Sequence, residues 1–133
     1  MYFFDSYALV EIIKGNDNYE KYKNENPTCS ILNLFELHQA LLREFNKKTA
    51  DFWINKFDYI LIDFAKNEIT EASDFRFAHK GKRLSMTDCI GYVLAKKNGL
   101  KFLTGDAEFK NKENVEFVEW LSQTANYLTA FFL

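Results

Sequence analysis

Three aspartates from distant parts of the chain stand where short apolar runs begin or end. Asp5 follows Tyr2-Phe3-Phe4. Asp106 closes Leu103-Thr104-Gly105-Asp106, directly after the run Leu100 to Leu103, and Asp88 opens the amphipathic segment before that run in Ser85-Met86-Thr87-Asp88. Such runs read as buried strands and Ser-x-x-Asp as a helix start, so Asp88 and Asp106 fall beside the same end of one helix-strand unit. Carboxylates at strand ends and helix starts are what an oxygen-ligand metal site requires, because Mg2+ and Mn2+ prefer hard anionic oxygens.

Each acid also has a purely structural reading. Asp88 falls three residues after Ser85 and Glu36 three after Asn33, so both could complete capping boxes and complement a helix dipole. Asp5 could cap the first helix in place of Ser6, and Asp106 could be an ordinary turn aspartate after Gly105. Separate caps do not explain why the acids share one kind of junction. Anions gathered at one sheet edge repel one another unless a cation compensates.

The elements that must position them alternate. Tyr2 to Asp5 reads as a strand, with Ser6 as N-cap of a helix to about Lys14 that Gly15-Asn16 ends; residues 17 to 26 suggest a short helix before Pro27. Thr28 to Ile31 is a strand, and Asn33 caps a helix to about Phe45 with Leu34, Leu37, Leu41 and Phe45 on one face. Helices follow over Lys47 to Phe57, 66 to 80 and Ser85 to Asn98, the last stopped by Gly99, and strands over Tyr59 to Asp63, Lys101 to Thr104 and Val115 to Val118. This alternation predicts an α/β fold, a mainly parallel sheet covered on both faces, with ligands at the carboxyl ends of the strands. Gly91, inside a helix, predicts close approach of another backbone, with Asp88 aimed at the first strand.

A length of 133 residues fits a single domain over 1–133, and 47% apolar with 17% aromatic content argues for a packed core. No apolar run approaches the roughly 18 to 20 residues that span a bilayer, and the first residues lack a signal-peptide layout, so no membrane association is expected. Cys29 and Cys89 form no metal or redox motif and read as buried thiols of a reducing cytoplasm. A net charge of -2 confines any nucleic-acid contact to local patches. The basic run His79-Lys80-Gly81-Lys82-Arg83 is one such patch, or a solvated loop.

The segments Phe3-Phe4-Asp5-Ser6-Tyr7-Ala8, Leu32-Asn33-Leu34-Phe35-Glu36-Leu37, Leu84-Ser85-Met86-Thr87-Asp88-Cys89 and Phe102-Leu103-Thr104-Gly105-Asp106-Ala107-Glu108-Phe109, in this order and spacing, resemble the PIN-domain ribonucleases, which include the VapC-type toxins of prokaryotic toxin-antitoxin pairs. The resemblance implies a three-layer α/β/α sandwich with a central, mainly parallel sheet, and an Mg2+ or Mn2+ site formed by Asp5, Glu36, Asp88 and Asp106. Where the family often has Asp-Thr-Asn, Ser6 keeps the hydroxyl and Tyr7 replaces the asparagine. Glu108 agrees with an auxiliary or second-metal ligand and equally with an exposed turn glutamate.

The implied activity is metal-assisted hydrolysis of RNA phosphodiester bonds. Asp5, Asp88 and Asp106 would hold the metal directly or through water. Glu36 would be a ligand or the base for the attacking water, Ser6 and Thr104 hydroxyl supports, and Lys80, Lys82 and Arg83 substrate contacts. The alternatives are a non-catalytic RNA-binding or scaffolding module and an RNA-processing nuclease without a toxin role; keeping all four acids argues against the former. An aspartyl-phosphate enzyme would need an acid where Tyr7 stands, and a dinucleotide-binding fold a glycine-rich turn that Asp5-Ser6-Tyr7 lacks. Leu121, Ala125, Leu128 and Phe132 recur at helical spacing, which reads first as a helix packed back on its own sheet and next as an interface; with the resemblance, the chain is expected to form a homodimer and to take an antitoxin partner, the tail serving one interface or the other.

Overall fold

The computed structural model describes residues 1–119, so the apolar tail from Leu121 onward lies outside the described residues. The elements run β1 (Tyr2–Phe4), α1 (Ser6–Ile13), a 3-10 turn (Asp17–Tyr22), β2 (Thr28–Cys29), α2 (Ile31–Glu44), α3 (Lys47–Lys56), β3 (Ile60–Leu61), α4 (Lys66–Ala78), α5 (Met86–Lys97), β4 (Lys101–Thr104), a second 3-10 turn (Ala107–Phe109) and β5 (Val115–Phe117). The five strands form one parallel sheet in the order β3-β2-β1-β4-β5.

Right-handed crossovers dictate the layers. The chain moves one way across the sheet from β1 to β2 to β3, which puts α1, α2 and α3 on one face. It then returns from β3 to β4, which puts α4 and α5 on the other. The contacts agree: α1 packs on α2 and α2 on α3, while α4 packs on α5 and α5 on β1 and β4. The result is the expected three-layer α/β/α sandwich. The direction reverses between β1 and β4, where crossovers leave to opposite faces and a crevice opens beyond the carboxyl ends.

The core sits at that central pair. Phe3, Phe4, Phe102 and Leu103 are buried, and Phe3 pairs with Phe102 and Phe4 with Leu103. This register sets Asp5 and Thr104 side by side at the sheet edge. Cys29 and Cys89 are free and buried, as their apolar contexts predict.

Three local expectations are corrected. Asp5, not Ser6, caps α1: its backbone is extended and its Oδ1 accepts from Ala8 N at 2.8 Å, which frees the Ser6 hydroxyl for α2. Ser30, not Asn33, caps α2, because β2 ends two residues earlier than predicted; Asn33 takes the third helical position and its Oδ1 accepts from Ser30 N at 2.9 Å. Glu36 therefore has no capping task. At Gly91 the close neighbours are side chains: a Cβ there would lie 2.8 Å from Phe3 Cε1 and 3.2 Å from Phe102 Cε1. Both rings are fully buried and cannot retreat, so overpacking, at about 1–3 kcal/mol, outweighs the roughly 1 kcal/mol helix-propensity gain. Gly91→Ala is expected to lower the melting temperature, and an unchanged or raised value would show that the rings give way.

Candidate active site

Asp5 leaves β1 at the switch point and is 2% exposed. Its Oδ1 is held by Ala8 N, and its Oδ2 accepts from Thr104 Oγ1 at 2.5 Å. Thr104, wholly buried, also accepts from Asp106 N at 3.0 Å, so one hydroxyl couples the acids that follow β1 and β4. Asp106 Oδ1 accepts from Glu108 N at 3.0 Å. On the other face Asp88 completes the predicted box with Ser85: Asp88 N donates to Ser85 Oγ, and Ser85 N to Asp88 Oδ2, both at 3.0 Å. Asp88 thus closes the capping box of α5, whose N-cap is Ser85, with one oxygen and has the other for chemistry.

Glu36 arrives from α2. The Ser6 hydroxyl donates to its Oε1 at 2.7 Å and accepts from Asn33 Nδ2 at 3.0 Å. Asn33, 1% exposed, also accepts from Ser30 Oγ. A relay from the α2 cap through Asn33 and Ser6 therefore orients Glu36. In each of Asp88, Asp106 and Glu36 one carboxylate oxygen is outside every hydrogen bond of the described residues.

Asp5, Glu36, Asp88 and Asp106 all line one cleft of about 580 Å3, with Ser6 and Ser85. Their fields overlap. Burial, and then the Asp88 and Asp106 charges, push the Asp5 carboxyl from its ordinary 3.8 to about 8, against the lowering effect of the Thr104 and Ala8 hydrogen bonds. Burial raises Asp88 too, with Asp106 and Glu36 adding to the effect. Tyr7 is lifted to about 12 by burial and by Glu11, Asp5 and Asp106. Among the described residues no three acids, histidines or cysteines are grouped closely enough to enclose a metal ion as they stand. The donor set still fits Mg2+ or Mn2+ in kind, since Mg2+ keeps several waters and needs only one or two carboxylates beside substrate phosphates.

The remaining sequence candidates lie apart. Lys80, Lys82 and Arg83 are exposed and line no part of the cleft; Lys80 and Lys82 border a smaller depression with Arg76 and Phe77. Glu108 is outside the cleft lining and faces Lys82 Nζ at 3.9 Å. Four residues with no role expected at the site belong to it: Asn33, behind the cleft, supports Glu36 through Ser6, and Phe35, Arg43 and Lys14 line the walls. Helical phase was the available signal, because Arg43 lies two turns beyond Glu36 on the same stripe.

A parallel sheet whose switch point gathers carboxylates from both helical layers defines an α/β/α protein with an acidic cleft. The family model described as PIN domain matches residues 2–115, and the chain belongs to that family. Solved structures share the fold: VapC20 of Mycobacterium tuberculosis, a sarcin-ricin loop cleaving toxin (TM-score 0.74, 15% identity, 90% of this chain and 100% of that one); a toxin-antitoxin complex from Klebsiella pneumoniae (0.68, 14%, 87% and 96%); and VapBC2 of Rickettsia felis bound to a promoter DNA fragment (0.67, 21%, 90% and 98%). No curated protein sequence matches the chain significantly. Among the described residues no helix is long and apolar enough to cross a membrane.

Proposed function

We propose that this chain is a metal-dependent endoribonuclease acting as the toxin of a toxin-antitoxin pair, a single cytoplasmic domain that forms a homodimer and is held in check by an antitoxin. The carrying observation is that four acids spread over a hundred residues of sequence line one cleft, with Asp5 and Asp88 raised by burial and by the acids around them. A fold that spends core positions on such repulsion without a cation gains nothing from it. RNA as substrate and the antitoxin as partner follow from the family resemblance and from the toxins and complexes that share the fold.

A bound Mg2+ or Mn2+ would polarise the scissile phosphate, lower the pKa of water and stabilise the leaving oxygen. Asp88 and Asp106 would hold it through their unengaged oxygens, with Asp5 at the floor. Glu36, steadied by Ser6, is placed to hold it too, or to accept a proton from the attacking water. Thr104 keeps Asp5 and Asp106 in fixed relation, and Glu108 is a further acid for a second ion.

The test is cleavage of a labelled RNA by the purified chain in Mg2+, in Mn2+ and with excess chelator. Cutting in metal and none with chelator is expected. RNA binding without cutting in either metal would replace the reading with the non-catalytic module; cutting without growth arrest on expression would make the chain an RNA-processing nuclease.

Lys80, Lys82 and Arg83 lie in the loop that leads into Ser85, where they would meet strand leaving the cleft. Combined Lys82→Ala and Arg83→Ala is expected to reduce the slope of RNA affinity against salt by about one to two. An unchanged slope would make the loop merely solvated.

A further inference from the structure

The cleft has a wall of which the chemistry above uses only Glu36. On α2, Phe35, Glu36, Gln39, Ala40 and Arg43 all line it. Glu36, Gln39, Ala40 and Arg43 follow the i, i+3, i+4, i+7 spacing of one helical stripe, which carries the wall about 10 Å along the axis from the acid to the guanidinium. Lys14 and Arg43 are the cations lining the cleft among the described residues. They are not equivalent. Lys14 Nζ is engaged by Glu44 Oε2 at 2.9 Å, whereas exposed Arg43 joins no hydrogen bond or ion pair among the described residues. Arg76, by contrast, spends its Nε on the Leu84 carbonyl at 2.9 Å.

Phe35, next to Glu36, is 68% exposed at the same cleft. A lone exposed phenylalanine carries little meaning. An aromatic face and a guanidinium that is unengaged among the described residues, about two turns apart on one wall of a cleft whose floor repels polyanions, form the combination that holds single strands: cations track phosphates and rings stack on unpaired bases. A duplex would present no free base face to Phe35 and would have to lower its backbone to Asp5 at the floor.

We propose that this face of α2 is the track for single-stranded RNA flanking the scissile bond. Arg43 takes a backbone phosphate a nucleotide or two from the cut, and Phe35 stacks on an adjacent unpaired base. The inference rests on the nuclease reading and adds to it a strand path and two specificity residues.

The test measures anisotropy of a fluorescent single-stranded oligoribonucleotide with Mg2+, in an Asp106→Asn background that leaves the probe uncut. Arg43→Ala should weaken binding about 10-fold and lower the salt slope by about one, with partial recovery in Arg43→Lys. Phe35→Ala should weaken it about 10-fold at unchanged slope, with recovery in Phe35→Trp. In the cutting enzyme both alanine variants should raise KM more than they lower kcat. Affinity, slope and KM unchanged in both, while the unsubstituted chain cuts RNA, would overturn the track alone and leave this wall to a protein partner. Equal affinity for a blunt duplex would overturn it as well. A chain that neither cuts nor binds RNA would remove the nuclease reading and the track together.

Discussion

Asp106→Asn and Asp88→Asn are each expected to cut RNA cleavage in Mg2+ at least about 100-fold while leaving the chain folded. Each exchange keeps the acceptor that the structure uses and removes only charge: the new amide oxygen would still accept from Glu108 N in the first variant and from Ser85 N in the second. What is lost is an anionic oxygen facing the cleft. Weakened support around a bound metal already costs about 10–100-fold, and loss of a direct ligand costs more. The effects should not add, because both acids serve one ion and its phosphate. The check is single-turnover cleavage beside a thermal melt. Variants that melt like the unsubstituted chain and cut at its rate would overturn the assignment of both acids.

Strand ends were the readable part of this chain, since apolar runs bounded by Asp5 and by Thr104-Gly105-Asp106 are strong local signals and a parallel sheet aligns their carboxyl ends. Joint placement of Asp5 and Asp106 was therefore legible in the sequence, whereas Glu36, in the second turn of α2, was joined to them only by the family resemblance. Caps were less legible. Two competent residues stand within one turn at Asp5-Ser6 and again at Ser30 to Asn33, and which one caps depends on where the preceding strand stops pairing, a tertiary decision. Gly91 pointed correctly to a tight contact and wrongly to its nature, because glycine marks missing volume without saying whether ring or backbone fills it. Arg43 and Phe35 form no run and so give no local signal of a shared wall; the basic cluster at Lys80 to Arg83 stands out by adjacency, although helical phase, not adjacency, puts residues on a common wall.

The second large effect concerns Asp5 and stability. Its carboxyl ionises at about 8 in the folded chain against an ordinary 3.8, so between those values the folded state holds a proton that the unfolded state has released. Stability must fall as pH rises through this window, by up to about 1.4 kcal/mol per unit. Below about pH 4 the penalty is absent, and above about pH 8 it is complete, several kcal/mol in a protein whose margin is of similar size. Asp5→Asn removes the ionisation and keeps an acceptor for Ala8 N. Its melting temperature should match the unsubstituted chain near pH 4, exceed it by several degrees at pH 8.5, and depend less on pH between. Millimolar Mg2+ should narrow that gap at pH 8.5 by stabilising the unsubstituted chain more than the variant, since a cation among these acids favours the ionised form of Asp5. A variant no more stable at pH 8.5 than at pH 4, relative to the unsubstituted chain, would show that Asp5 ionises at no cost to the fold and that the repulsion inferred at the cleft floor is absent.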